Sequence, residues 1–331
     1  MTLTVSNKTT MQSASQSTPS TLCASGQNAP TCNPPPQLAQ MIDKLSLTLS
    51  GYDQAEKTEI MAIALTLKDH GWAQQIYLRN GYALNLRLLP HLVHSSAIIS
   101  LHPKIPSRPH MRIEFNPSKM GSESIFDLYQ GELAMLLSGG LPELHEKARI
   151  SRIDYALDIV GVDLQELLIA SSYSVRSMKF DRHGRMQTLY LGSPKSATQT
   201  RIYDKVAQMK ASGEVLLPPT TPITRVERVI RNAGLLRNIH KLKNPLSTLV
   251  VGATNKESLN IPCHQWRMFS SYAREHTVQA ALAILPLSER KKFVDAIKHS
   301  NPTWWNAEIL WSAWPELINS LGITDFGPSF D

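Results

Sequence analysis

Four short segments of the chain alternate charged and apolar residues in the same order. Each has a basic residue, then an apolar one, then an acid or a tyrosine. Side chains of a strand point alternately to opposite faces of its sheet, so each segment would present its polar residues on one face. The four segments are residues 111–115, 150–160, 200–205 and 224–231. They constrain the fold to a sheet with one apolar and one polar face, which is typical of antiparallel pairing.

Helical spacing and turn signals surround these strands. Helices are predicted at 54–70, 122–137 and 164–170, and further strands at 77–89 and 187–191. A Gly-Ser-Pro turn after the strand at 187–191 predicts a hairpin with 200–205. The chain beyond about residue 256 is mainly helical in pattern. We therefore predict an α+β fold with a largely antiparallel central sheet, flanking helices and a mainly helical C-terminal region.

The chain divides into three parts by composition. Residues 1–38 are rich in Ser, Thr, Gln, Asn and Pro and lack apolar periodicity, which predicts a disordered tail. Residues 39–250 contain the predicted sheet, and residues 251–331 form the predicted helical region. Over the whole chain 42% of residues are hydrophobic and 18% are charged, which excludes a wholly disordered protein.

Membrane and disulfide-rich classes are not expected. No apolar run approaches the roughly 18 residues that a membrane span needs. The three cysteines form no even disulfide framework, and Cys263-His264 is an isolated pair rather than a spaced set of zinc ligands. These features predict a protein of the reducing cytoplasm without a membrane partner.

The positive charge of the chain is concentrated in one segment. The formal net charge is +7, and residues 201–250 hold nine Lys and Arg against three Asp and Glu, a net +6. A local excess of this kind favours attraction to a nucleic-acid backbone. The ordinary alternative is a solvated basic loop.

The polar face of the predicted sheet combines acids, a tyrosine and cations. Clustered carboxylates suit a hard divalent cation such as Mg²⁺ or Mn²⁺, and neighbouring arginines suit phosphate. The alternative is a half-exposed sheet with cross-strand ion pairs. The residues concerned are Arg112, Glu114, Arg152, Asp154, Asp158, Arg201, Tyr203, Lys205, Arg225, Glu227 and Arg231.

Five motifs over about a third of the chain resemble, in order, those of the Rep_trans replication initiation factors. That family includes rolling-circle initiators of plasmids, related filamentous-phage proteins and relaxases of integrative elements. The motifs are Met111-Arg-Ile-Glu-Phe-Asn-Pro117, Ser151-Arg-Ile-Asp-Tyr-Ala-Leu-Asp158, Thr188-Leu-Tyr-Leu-Gly-Ser-Pro-Lys-Ser196, Arg201-Ile-Tyr-Asp-Lys205 and Arg225-Val-Glu227.

The resemblance implies an activity and a set of partners. Family members nick one strand at a double-stranded origin through a tyrosine, which forms a 5′-phosphotyrosyl link and frees a 3′-OH for polymerase. They act as homodimers with a divalent metal, Mg²⁺ or Mn²⁺. The implied partners are origin DNA, its nicked single strand, and the host helicase and polymerase. Residues 39–250 would then be the DNA-nicking domain.

The same resemblance implies roles for individual residues. Tyr203 takes the place of the nucleophile, and Asp154 and Glu227 take those of the acidic site residues, with Glu114 as a further metal ligand. Val229 stands where many members have a second acid. Because a free phenol has a pKa near 10, we expect the flanking Arg201 and Lys205 to lower the pKa of Tyr203. The predicted DNA-binding residues are Arg112, Arg152, Lys195, Arg225 and Arg231.

Several alternatives remain open at this point. Tyr190 is a rival nucleophile, although packing or base stacking is the more ordinary role for it. A tryptophan cluster is expected to pack in the core or a dimer interface rather than to stack bases; its members are Trp304, Trp305, Trp311 and Trp314. His91 and His94 lack the His-x-His spacing of the other large nicking class. A conjugative relaxase and a non-catalytic DNA-binding regulator are the competing functions.

Overall fold

The protein is described by a computed structural model that covers residues 35–88, 96–173, 175–214, 221–254 and 261–322. Of the tail predicted at 1–38, residues 1–34 lie outside the described residues. Its last two residues, Gln37 and Leu38, begin the first strand instead. His91 and His94 also lie outside them.

Within the described residues, ten strands form one antiparallel sheet. Its order is β2-β3-β4-β5-β1-β6-β11-β10-β9-β8. The strands are β1 (Gln37–Leu49), β2 (Ala73–Gln75), β3 (Tyr82–Leu88), β4 (Ala97–Pro103), β5 (Met111–Phe115), β6 (Arg149–Val160), β8 (Arg176–Phe180), β9 (Met186–Leu191), β10 (Thr198–Asp204) and β11 (Ile223–Leu235). The remaining two, β7 (Leu167–Ser171) and β12 (Leu249–Ala253), pair with each other in a small second sheet. The predicted antiparallel sheet is confirmed.

Ten α-helices accompany the sheets in the described residues, and five of them follow β12 in the C-terminal region. They are α1 (Gln54–Asp69), α2 (Pro117–Leu128), α3 (Ala134–Leu136), α4 (Gly140–Lys147), α5 (Lys205–Ala211), α6 (Cys263–His276), α7 (Val278–Ala283), α8 (Leu287–His299), α9 (Ala307–Trp311) and α10 (Trp314–Asn319). A capping box between Asp53 and Glu56 starts α1. The helix predicted at 122–137 is divided by a π-turn at Tyr129–Leu133. In the described residues no helix has the length and apolar content needed to cross a membrane.

Strand β1 lies at the centre of the sheet, between β5 and β6, and sequence alternation did not reveal it. Its C-terminal half alternates well, with Leu45, Leu47 and Leu49 buried. A register shift between Ile42 and Lys44 interrupts the alternation in its first half. Because a β-bulge moves all later side chains to the other face, the segment as a whole has no period of two.

The helix predicted at 164–170 is wrong. A short 3₁₀ turn at Leu164–Glu166 is followed at once by β7, whose residues Leu167 to Ala170 are all buried. One face of β7 packs in the main core, and the other packs in a second core with α6, α7 and α8. A short run that is apolar on both faces gives no periodicity that distinguishes a buried strand from a buried helix.

The C-terminal tryptophans pack in the core, as expected. Trp305 and Trp314 are buried, and the Trp314 indole N–H donates to the Ile239 carbonyl at 3.1 Å. Trp311 stacks on Trp314 with ring centres 4.4 Å apart, and both meet the edge of Tyr155 on the apolar side of β6. Helices α9 and α10 therefore pack against the central strands on the side opposite the polar face.

The turn between β9 and β10 depends on Gly192. Its φ is +89°, and an added Cβ would lie 2.9 Å from the Thr198 carbonyl oxygen. We expect Gly192→Ala to lower the free energy of unfolding by about 2–3 kcal/mol, because strained backbone and a fixed clash add together. Gly184→Ala is the matched control, since Gly184 has φ +76° but open space around its Cβ; it should cost only about 1–2 kcal/mol. Urea unfolding measures the stability of both variants. Equal losses would contradict the prediction, because they would show that the Thr198 carbonyl moves away from the added Cβ at little cost.

Candidate active site

The register of three central strands brings the motif residues into adjacent rows. Strand β11 lies between β6 and β10. Arg201 lies opposite Glu227, and Tyr203 lies opposite Arg225. Arg225 in turn lies opposite Asp158. The polar face expected from the four segments is therefore continuous across these strands.

An arginine joins the two most buried acids of this face. The Arg201 guanidinium contacts Glu227 Oε1, and its Nη2 lies 3.5 Å from Asp154 Oδ2. Arg152 donates two hydrogen bonds, of 2.7 and 2.6 Å, to the two oxygens of the Asp154 carboxylate. Asp154 is 1% exposed and Glu227 is 2% exposed, so both acids depend on these cations for charge compensation.

Tyr203 is hydrogen-bonded to the same cluster. Its hydroxyl donates to Glu227 Oε2 across 3.4 Å. The phenol is thereby placed beside a carboxylate that can take its proton and close to the guanidinium groups of Arg201 and Arg225. This is the combination of acid, tyrosine and cations that the motifs predicted.

The expected lowering of the Tyr203 pKa is wrong. Burial raises the pKa of Tyr203 and is the largest influence on it; the charge of Arg225 lowers it, but Asp43 raises it again. Arg201 contributes only a weaker lowering. Sequence spacing identified the cations near the phenol but not its desolvation, which depends on the packing of the whole face.

The predicted position of Lys205 on the strand with Tyr203 is wrong. Strand β10 ends at Asp204, whose side chain accepts from the Ala207 backbone N–H at 3.0 Å and so caps α5. Lys205 is the first residue of that helix, and its Nζ donates to Gln208 at 2.7 Å. Burial and the charge of Arg225 lower the pKa of Lys205. An Asp in the position before a helix is a strong stop for a strand, because its side chain satisfies free helical N–H groups.

Arg225 is an internal residue of the face rather than an open phosphate contact. It is 6% exposed and donates to both oxygens of Asp158 at 2.5 and 2.6 Å. A weaker contact of 3.5 Å joins it to Asp43 in β1. Its charge is therefore compensated by carboxylates, and it acts on Tyr203 from within the sheet.

Glu114 lies apart from the other two predicted metal ligands. It is on β5, which β1 separates from β6, and it pairs with Arg112 and with Lys44 Nζ, the latter at 2.6 Å. Among the described residues no group of three or more His, Cys, Asp or Glu is arranged to hold a metal ion. Asp154 and Glu227 are the two acids that the fold does bring together.

These ion pairs give Glu114 a pH-dependent contribution to stability. Burial raises the pKa of Glu114, but Lys44 and Arg112 outweigh it and hold the pKa below its ordinary value. The stabilisation is therefore present above the unfolded pKa of about 4.3 and lost as the pH falls through the folded pKa.

We expect Glu114→Gln to reduce the free energy of unfolding by about 1 kcal/mol at pH 7, since the pair is only partly buried. The difference from wild type should shrink between pH 5 and pH 3 in urea unfolding. Glu289→Gln, at an exposed position of α8, is the control. A difference that grows as the pH falls would contradict the assigned pairing.

Three of the predicted DNA-binding arginines lie together elsewhere on the face. Arg112, Arg152 and Arg231 line one open groove. Lys195 is exposed in the turn between β9 and β10.

Tyr190 lies on β9 directly opposite Arg201, with Lys179 Nζ 5.4 Å from the centre of its ring. The rival tyrosine is thus on the same face, one strand further from the acids.

Sequence reasoning missed two residues of β1 and one of β11. Asp43 and Lys44 lie at the bulge and supply partners to Arg225 and Glu114. Recognition of β1 as a strand would have identified them. Arg228 is on the apolar side of β11, 1% exposed, where it donates to Thr200 and to the Tyr173 hydroxyl. The alternation of β11 places Arg228 on the face opposite Glu227, and this was the signal in the sequence that could have identified it as buried.

The chain is similar in fold to solved structures, one of which is a replication initiator. No protein-family model matches the chain, so membership of the Rep_trans family stays a prediction. No curated protein matches it. A rolling-circle replication initiator protein from Geobacillus stearothermophilus aligns with a TM-score of 0.40 and 15% identity, over 73% of this chain and 98% of that chain. At this level of similarity, functional assignment rests on the residues of the polar face.

Proposed function

We propose that this protein nicks one strand of DNA with Tyr203 and later transfers or reseals that strand, as an initiator of rolling-circle replication does. The observation that carries the proposal is the contact between the Tyr203 hydroxyl and Glu227, in a cluster completed by Arg201 and Asp154. A nucleophile needs an acceptor for its proton and cations for the attacked phosphate. Both lie within this cluster.

The proposed step conserves atoms and charge. The Tyr203 oxygen attacks the phosphorus of a phosphodiester while its proton passes to Glu227. The bond from phosphorus to the 3′ oxygen breaks, and that oxygen receives the proton from Glu227, directly or through water, to become a free 3′-OH. The products are a 5′-phosphotyrosyl link and a primer end. Since one phosphoester replaces another, the step can run backwards and reseal the strand.

The buried phenol sets a condition on this chemistry. Because the Tyr203 pKa is raised, the phenol is protonated at neutral pH, and removal of its proton must accompany attack. Arg201, 31% exposed over its side chain, is placed to turn from the acids toward a phosphate.

The two acids suit a divalent metal in kind and number. Mg²⁺ takes one or two carboxylates from a protein and completes its shell with water and substrate phosphate. Asp154 and Glu227 Oε1, the oxygen that now contacts Arg201, would hold Mg²⁺ or Mn²⁺ once Arg201 turns to the phosphate, and Glu227 Oε2 would remain beside the Tyr203 hydroxyl. The ion would neutralise charge on the scissile phosphate. Glu114 would have no part in that site.

The direct test is covalent capture of DNA by the wild-type protein. Origin-containing DNA labelled on the 5′ side or the 3′ side of each strand is incubated with Mg²⁺ or Mn²⁺ and resolved on a denaturing gel. We expect protein-linked label only from the fragment that begins with the 5′ phosphate, and we expect chelation of the ion to abolish it. Tight binding without any adduct would favour the non-catalytic regulator and would contradict nicking.

The wider setting of the activity is part of the same proposal. We propose a homodimer that acts on double-stranded origin DNA and hands the nicked strand to the host helicase and polymerase. A relaxase would carry out the same bond chemistry and differs in substrate. If the protein nicks a transfer origin but no replication origin, the relaxase function replaces the replicative one.

A further inference from the structure

Four arginines converge on a groove beside the candidate active site. Arg108, Arg112, Arg152 and Arg231 line an open cleft of about 480 Å³ whose lining contains no Asp or Glu. Arg152 lies opposite Arg231 in the pairing of β6 with β11. These two strands also carry Asp154 and Glu227, so the groove adjoins the tyrosine cluster on the same face.

The arginines of the groove differ in how far they are compensated. Arg112 and Arg152 each pair with one acid and keep 33% and 29% of the side chain exposed. Arg108 and Arg231 have no carboxylate within 4 Å among the described residues, and they donate to backbone carbonyls of Asn80 and Ser196. Two uncompensated guanidinium groups in a concave surface attract an anion with several charges.

Arg108 is hydrogen-bonded to Asn80, whose side chain is anchored to buried polar residues. The Asn80 carbonyl accepts from the Arg108 guanidinium, and the Asn80 side chain donates to Asn85 at 2.8 Å and to Ser100 at 2.9 Å. Asn85 and Ser100 are 3% and 2% exposed. Gly81 makes room for the guanidinium, since an added Cβ there would collide with Arg108 Nη1. The position of this charge is therefore fixed by the fold.

Arg108 belongs to the lining of two cavities. Arg108 also borders a second cavity of about 790 Å³, whose lining includes Lys57, His102 and His110 and again contains no Asp or Glu. The four arginines of the first cleft are named the arginine tract, and Arg108 is the member that also borders the second cavity. Arg225 lies opposite Tyr203, and Arg231 in the groove is six positions further along β11. This is about 20 Å along a strand.

We propose that this tract, from Arg231 through Arg152 and Arg112 to Arg108, binds the phosphate backbone of the single strand of DNA that leads to Tyr203. The path of the strand to Tyr203 rests on the proposed function. The binding of phosphate rests on the arginines themselves. A cleft of this volume suits a small ligand or a short stretch of one strand rather than a duplex. A positively charged groove that follows a backbone is how proteins hold single strands without sequence preference.

The test measures binding without chemistry. A fluorescent single-stranded oligonucleotide is titrated with wild type and with the Arg108→Gln/Arg231→Gln double variant in chelator, so that no nicking occurs. We expect a loss of affinity of about tenfold or more, and a plot of log affinity against log salt that is flatter by about 1.4, the slope of two phosphate contacts to a single strand. Arg267→Gln, exposed on α6, should bind as wild type does.

Two further measurements separate the possible failures. Thermal unfolding of the double variant should match wild type, since Arg108 is exposed and Arg231 half-buried. Unchanged single-strand affinity in a folded double variant overturns the tract, even if wild type forms a covalent adduct. A lower affinity of the double variant for single strands supports the tract, even if wild type forms no covalent adduct and nicking is refuted. Loss confined to a duplex of the same length overturns it also.

Discussion

Tyr203→Phe should abolish the covalent link to DNA while the protein still folds and binds. The variant keeps the ring and loses only the attacking oxygen and its hydrogen bond to Glu227. Loss of the nucleophile of a covalent enzyme reduces the rate by at least about 10³-fold. The amount of protein-linked DNA after a fixed time, measured on a denaturing gel, should fall below detection.

Tyr190→Phe is the matched control for this result. Tyr190 is on the same face and one strand further from the acids, opposite Arg201. Among the described residues, no carboxylate accepts a hydrogen bond from the Tyr190 hydroxyl. The Lys179 ammonium group lies over the Tyr190 ring. We expect near-normal adduct formation from this variant. The opposite outcome, adduct lost with Tyr190→Phe and kept with Tyr203→Phe, would exchange the two assignments.

Arg201→Met should cause a large loss of stability. The arginine lies between Asp154 and Glu227, whose side chains are 2% and 3% exposed. Methionine keeps most of the apolar stem but leaves two buried carboxylates with less compensation. Removal of one partner from a buried ion pair costs about 3–5 kcal/mol, because the remaining charge stays desolvated. Urea unfolding at pH 7 measures the change.

A second substitution identifies the cause of the loss. The double variant Arg201→Met/Glu227→Gln removes one of the two buried negative charges that Arg201 compensates, so it should recover part of the lost stability. A loss below about 1 kcal/mol at pH 7 would show that the acids are well solvated.

Local periodicity predicted the strands of the polar face and the residues that share it. Strands β5, β6, β10 and β11 have their polar and apolar sides as the alternation indicates, and Arg201, Tyr203 and Glu227 do meet. Alternation is a property of a few neighbouring residues, so a sequence carries it openly. The hairpin between β9 and β10 was equally accessible, because Gly192 marks its turn.

Strand order and burial were not accessible in the same way. The insertion of β1 between β5 and β6 places Glu114 beside Lys44 rather than beside Asp154, and no residue of the Met111–Phe115 motif signals this. The raised pKa of Tyr203 likewise follows from desolvation by the whole face. Such long-range properties depend on which segments become neighbours, and the bulge in β1 concealed the most important neighbour.

The central claim is that Tyr203 itself carries the DNA, and peptide mapping of the adduct tests it most directly. The covalent complex would be trapped with wild-type protein, trimmed with nuclease and digested with trypsin. Tyr203 and Tyr190 fall in different tryptic peptides, 202–205 and 186–195. We predict that the nucleotide mass is found on the Ile-Tyr-Asp-Lys peptide. A nucleotide on the peptide that contains Tyr190, or on any other peptide, would contradict the account.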